Sequence, residues 1–270
     1  MRFAFLSELW SEDGGIGKDR AMKRVKRRTF CGSVCEQEVF NIRENQSISA
    51  AEPREPRFMT DEERAAHREA ISRRRHTQLF NANFTHESLY STLTLDNDHE
   101  VHEFEEMKRL RDNYIRRLKR RFPDAVIFAY IGKGKNTHRL HMHMVSDGIP
   151  KDVIAGQWTY GSIVRIDHLR EHNMVDGQDH GEDYTQLANY LFDHWTPEQG
   201  GHRWKNTRNA KQPVKEEPKQ VKRNYTEEKP PTAPKGYKLV ETRTNRYGYL
   251  YFKYVKIPES RYKTRKKRKA

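Results

Sequence analysis

Residues 139–145 read Arg-Leu-His-Met-His-Met-Val. Polar and apolar residues alternate there with a period of two, the pattern of a β-strand buried on one face. Leu140, Met142 and Met144 would enter a core, and His141 and His143 would stand side by side on the opposite face. Two neutral imidazoles on one rigid face can hold a divalent metal. An amphipathic strand whose polar face carries histidine by chance has the same pattern, so the surroundings of the strand decide between the two.

Those surroundings read as alternating strands and helices. Ser88 to Leu95 is β-prone and partly alternating, and Asp96-Asn97-Asp98 ends it. Phe104, Met107, Leu110, Tyr114, Ile115 and Leu118 recur at helical spacing within residues 103–121. Ala125 to Ile131 is a short apolar strand, and Gly132 to Asn136 a turn that makes a hairpin with the histidine strand. A short helix over 150–157, a strand over 162–166 and a helix over 182–195 follow. Tyr184, Leu187, Leu191 and Trp195 mark the packed face of that last helix. The order predicts an α+β domain, an antiparallel sheet with helices on one face and the histidines on the exposed other.

Only 34% of the 270 residues are hydrophobic and 33% are charged, too little apolar material for one core to hold the whole chain. Four segments are expected. Residues 1–58 form a basic, irregular extension, with a basic cluster over 18–28, a short strand pair within 29–42, and a linker at Pro53 and Pro56. Residues 59–213 form the main domain. It starts with a helix capped by Thr60, with Asp61, Glu62 and Glu63 in the first turn. That helix runs to about Phe80 and carries Arg73, Arg74 and Arg75, either a solvated face or a DNA contact. Residues 214–234 are charged and proline-rich, a linker, and 235–270 hold a hairpin over 237–254 and a tail with six basic residues in 263–269. The tail reads as disordered, attracting nucleic acid or serving solubility.

Lys and Arg number 52 against 38 Asp and Glu, a net charge of +14, which favours a polyanionic partner. Cys31 and Cys35 are the two cysteines, too few for a four-cysteine zinc site or a disulfide framework. There is no apolar run of about twenty residues, so the expected protein spans no membrane and works in the cytoplasm.

Three features fall in order: Thr92-Leu93-Thr94-Leu95, the His-Met-His strand, and Leu187-Ala188-Asn189-Tyr190-Leu191 on a later helix. Ala82-Asn83-Phe84, Arg139 to His143, Trp158-x-x-Gly161 and Arg203-Trp204 to Pro213 accompany them. Over about residues 75–213 the chain resembles the HUH endonuclease superfamily, and within it the rolling-circle replication initiators of plasmids, phages and integrated elements. The resemblance implies a ferredoxin-like fold related to the RNA-recognition motif. It implies Mg²⁺ or Mn²⁺ on His141 and His143. Tyr190 would be the nucleophile that nicks single-stranded DNA at an origin, leaving a 5′-phosphotyrosyl link and a free 3′-hydroxyl, while Tyr184 packs. Implied partners are single-stranded and origin DNA, a host polymerase, and a host helicase, since the chain has no G-x-x-x-x-G-K-[ST] pattern. DNA contacts are expected from Lys133, Lys135, Arg139, Arg203, Lys205, Arg73 and Arg74.

Two positions depart from the family pattern. Asp193 stands where a lysine often follows the tyrosine, and Gly132 where many relatives carry a glutamate as third metal ligand. The third ligand is then His138, Asp96 or water. The alternatives are a relaxase or transposase of the same superfamily, a water-using metal hydrolase, or a non-catalytic binder stacking single strands on Tyr90, Phe128 and Tyr130.

Overall fold

The computed structural model describes residues 22–49, 60–161, 164–196, 199–245 and 248–257. The expectations for residues 1–21, the Pro53–Pro56 linker and the basic tail lie outside the described residues. In chain order the elements are β1 (Met22–Cys31), β2 (Val34–Arg43), α1 (Asp61–Asn83), β3 (Leu89–Thr94), α2 (Phe104–Arg121) and β4 (Val126–Lys133). Next come β5 (Leu140–Asp147), α3 (Lys151–Gln157), β6 (Val164–His168), β7 (Met174–Val175), β8 (Gln178–Asp179) and α4 (Thr185–Phe192). The last are β9 (Lys205–Asn206), β10 (Val214–Lys215), β11 (Lys219–Gln220), β12 (Tyr237–Thr244) and β13 (Leu250–Lys256). The protein is a mixed α+β structure of two compact units. A central unit is Leu79–Glu171 with Tyr184–Gln212, and a terminal unit takes the described residues of Met1–Gln78, His172–Asp183 and Pro213–Ala270.

The central unit is built on an antiparallel sheet of order β6-β3-β5-β4-β9. Its β3-α2-β4-β5-α3-β6 core is the split βαβ arrangement of ferredoxin-like domains. The expected alternation on β5 holds: Leu140, Met142 and Met144 pack with Met107, Tyr114 and Leu118 of α2 and Ile154 of α3. The opposite face differs from the expectation. Val126, Phe128, Tyr130 and Val145 pack there against Phe80, Phe84, Ala188 and Leu191, so helices cover both faces. The cause is β4, whose apolar residues alternate to both sides and need burial twice over. α4 is the helix that answers the second face.

The terminal unit holds a sheet of order β10-β1-β2-β13-β12, with β11 also paired to β1. The strand pair expected within 29–42 is present and longer, a hairpin of two ten-residue strands, so the described part of the extension is not irregular. That hairpin and the C-terminal one are one sheet rather than separate segments, with Cys35, Val39, Phe252 and Tyr254 in a shared core. A two-stranded hairpin cannot bury a face by itself, and joining the two resolves this. The expected linker is packed as well. Val221, Tyr225 and Ala233 lie on this core, the Tyr254 hydroxyl donates to the Pro231 carbonyl (2.8 Å), and Arg28 donates to the Thr232 carbonyl (2.9 Å). Cys31 and Cys35 are free and buried, and burial pushes the Cys35 thiol up to about 12. They are therefore inert rather than reactive thiols.

Candidate functional site

The register of the central sheet fixes the site. His141 lies between Thr94 of β3 and Gly132 of β4, and His143 between Thr92 and Tyr130. Their Nε2 atoms are 3.0 Å apart. His194 joins them from just beyond α4, and one nitrogen of each of the three lies within 4.8 Å of the others. Among the described residues this is the group of histidine, cysteine and carboxylate side chains that could hold a metal ion.

His194 follows the last turn of α4. Ala188, Leu191 and Phe192 of the helix are buried. Tyr190 is on α4, and His194 sits in the turn after it, its backbone N–H donating to the Leu191 carbonyl (3.3 Å). The helix stops at Phe192, and Asp193 is its C-cap, with its N–H donating to the Asn189 carbonyl (3.0 Å). The Nδ1–H of His194 donates to the Tyr190 carbonyl (2.7 Å), satisfying a last-turn acceptor. A carbonyl only accepts, so His194 carries its proton on Nδ1 and leaves Nε2 with a lone pair.

His143 is held in a related way. Its Nδ1 lies 2.7 Å from the Tyr90 hydroxyl and 3.2 Å from the Thr92 hydroxyl. Such outer partners orient imidazole ligands in metal sites. The Nδ1 of His141 faces the Arg139 carbonyl at 3.5 Å, a weak contact. Burial, then the neighbouring His194 and His141, hold His143 down at about 3. Burial lowers His141 as well, partly opposed by the Arg139 carbonyl, and lowers His194, opposed by the Tyr190 carbonyl and Asp193. All three rings are thus neutral near pH 7, the form that binds metal.

The donor set fits a cation. Two nitrogens each ~2.1 Å from one ion and at right angles to each other stand ~3.0 Å apart, the spacing of the two strand histidines. Gly132 leaves the room. A Cβ there would fall 2.7 Å from His141 Nε2 and 2.9 Å from His194 Cδ2. A side chain at the position where the resemblance puts a glutamate would therefore have to displace His141 and His194, and His194 takes up that space.

No protein-family model, curated protein or solved structure matches the chain.

The expected site residues separate into those at the site and those elsewhere. His138 is outside the three-histidine group; it sits exposed in the turn before β5 with φ 55°. Asp96 is engaged with His99, accepting from its backbone N–H and lying 2.7 Å from its Nδ1. Tyr190 is at the site, its ring centroid 4.4 Å from that of His194 and 6.1 Å from that of His143, and it is 52% exposed. Tyr184 packs as expected, buried in the core with its hydroxyl donating to the Arg170 carbonyl (3.1 Å). Lys133 ends β4 and Lys135 is in the hairpin turn, both exposed, and the Lys135 charge acts on His194. Arg139 pairs with Glu100 (3.0 Å) and donates to the Leu95 carbonyl (3.2 Å).

The other expected DNA contacts are engaged with protein groups. Arg203 lies over the rings of Phe192 and Trp195, 4.4 Å from each centroid. Lys205 faces Asp112 at 3.7 Å. Arg73 pairs with Glu69 within α1 (3.0 Å). Arg74 pairs with Glu36 (2.8 Å) and Glu38 (2.6 Å) in the terminal unit, so its charge is neutralised internally. The accompanying phrases are structural. Asn83 clamps residue 211 in both directions, Trp158 Nε1 donates to the Thr94 carbonyl, and a Cβ on Gly161 would strike that same carbonyl. Phe128 and Tyr130 are fully buried and Tyr90 is tied to His143, so this face presents no stacking platform of those three rings. The sequence signal for His194 is its four-residue spacing from Tyr190.

Proposed function

We propose that the protein is a metal-dependent, single-strand DNA nickase and strand transferase of HUH type that initiates rolling-circle replication. The observation that carries this reading is the exposed Tyr190 ring beside three neutral, convergent imidazoles. His141, His143 and His194 would hold the cation. Three imidazoles without a carboxylate suit manganese or a softer ion better than magnesium, which prefers oxygen ligands. A divalent cation bound there would withdraw charge from a non-bridging phosphoryl oxygen.

Tyr190 Oη attacks phosphorus and the bond from phosphorus to the 3′ oxygen breaks. The phenolic proton is lost and the departing 3′ oxygen gains one, so no water is consumed. The downstream strand stays on Tyr190 as a 5′-phosphotyrosyl ester, which retains the phosphodiester for later rejoining. The upstream strand keeps a free 3′-hydroxyl that a polymerase can extend. The exposure of the ring supports the reading, because the nucleophile must meet a strand arriving from solvent. A histidine-aligned phenol is also unneeded by a protein that only binds.

The test is incubation of labelled single-stranded DNA with manganese, with the products separated under denaturing conditions. The wild type is expected to give a DNA-linked protein band, and Tyr190→Phe none. Cleavage with no adduct would replace this mechanism with a water-using nuclease, and an adduct that survives in Tyr190→Phe would move the nucleophile elsewhere.

A further inference from the structure

The terminal unit carries a concentration of positive charge that the nicking reading does not use. Register places Lys26 of β1 directly opposite Lys219 of β11. Like charges directly opposed across a sheet are destabilising, so this pair costs the fold stability. Arg24 and Arg28 flank Lys26 two residues away on the same face of β1. Arg28 is held there by Gln37 (2.8 Å) and by the Thr232 carbonyl (2.9 Å). Partial burial lowers the Lys26 ammonium first, and Arg28, Lys219 and Arg223 lower it further against the single opposing charge of Glu216. Three cations therefore act on Lys26 against one carboxylate.

We propose that Lys26, Arg28, Lys219 and Arg223 form a binding surface for the phosphate backbone of DNA, distinct from the histidine site. A polyanion removes the repulsion that the folded chain tolerates in its absence. The chain's net charge of +14 favours a polyanion that presents phosphates in series. The choice of DNA rests on the nicking reading. The surface reads no sequence; it holds substrate by charge, as phosphate contacts do.

The test compares wild-type full-length protein with Lys26→Gln/Lys219→Gln and Lys26→Arg/Lys219→Arg. Binding to a labelled random-sequence duplex is followed by fluorescence anisotropy, in EDTA, from about 50 to about 200 mM salt. The Gln pair is expected to lower the slope of log K against log salt by about two, at ~0.9 per phosphate, and to weaken binding at least about tenfold. The Arg pair should bind as wild type. Without DNA the Gln pair should melt no lower than wild type, because a repulsion has been removed. An unchanged slope in the Gln pair overturns the proposal, as does equal loss in the Arg pair. Wild-type binding confined to RNA or to phosphatidylserine vesicles would assign the surface to another partner and overturn it too. The chelator keeps this assay independent of nicking, so the absence of a Tyr190 adduct would leave its result standing.

Discussion

Gly132 and His194 depend on each other. The space that brings the third imidazole to the strand pair exists because residue 132 has no side chain. Gly132→Ala is expected to push His141 and His194 apart and weaken manganese binding, with overpacking costing about 1–3 kcal/mol of stability. His194→Ala is expected to weaken manganese binding at least about tenfold while leaving the sheet folded. Calorimetric titration with manganese reads both, and unaltered affinity in His194→Ala would remove it from the ligand set. At this scale the sequence was partly legible. The paired faces of His141 and His143 followed from a period of two. His138, an expected third ligand beside Asp96 and water, stands just before the histidine strand, whereas the third imidazole of the group comes from about fifty residues further along the chain.

Single elements were the most legible level, because their signals are local. Thr60 was expected to cap a helix, and it does so reciprocally: Glu63 N–H donates to Thr60 Oγ1 (3.2 Å) and Thr60 N–H to the Glu63 carboxylate (2.7 Å). Thr60→Ala is expected to cost about 1 kcal/mol, measurable as a lower midpoint in urea. β3, α2, β4, β5 and α3 start or stop within one or two residues of their expected bounds. α4 is shorter than expected because the chain turns at Asp193, and the turn is what swings His194 toward the strands. The unbroken apolar run of β4 already signalled burial on both faces; which element would cover the second face was not written in it.

For the whole molecule, charge is both surface and interior. Glu36, Glu38, Arg27 and Arg74 form a buried ion cluster in the terminal unit. Burial pushes the Glu38 carboxyl up, but the charge and hydrogen bond of Arg74, then Arg27 and Tyr249, hold it down at about 2. An unfolded glutamate titrates near ~4.3, so the native pKa lies below the unfolded one. Glu38 thus contributes its stability above about pH 4.3 and loses it as pH falls toward 2. The melting temperature is expected to drop across that window. Glu38→Gln should flatten the drop while lowering stability at neutral pH, since the buried Arg27 loses its carboxylate, whereas Arg74 keeps Glu36. A melting curve whose acid limb is the same in both proteins would remove Glu38 from it.

The sequence by itself determined the local periods and therefore the faces: which side of β5 holds imidazoles, where α1 is capped, that Tyr184 packs. Only the tertiary structure decided that the two chain ends share one sheet, that residues 221–233 cover it, and that His194 completes the histidine group. The physical reason is range. A strand or helix face is set by neighbours two to four residues apart, while pairing between remote segments depends on which buried faces need covering, and many partners satisfy that need equally well in sequence.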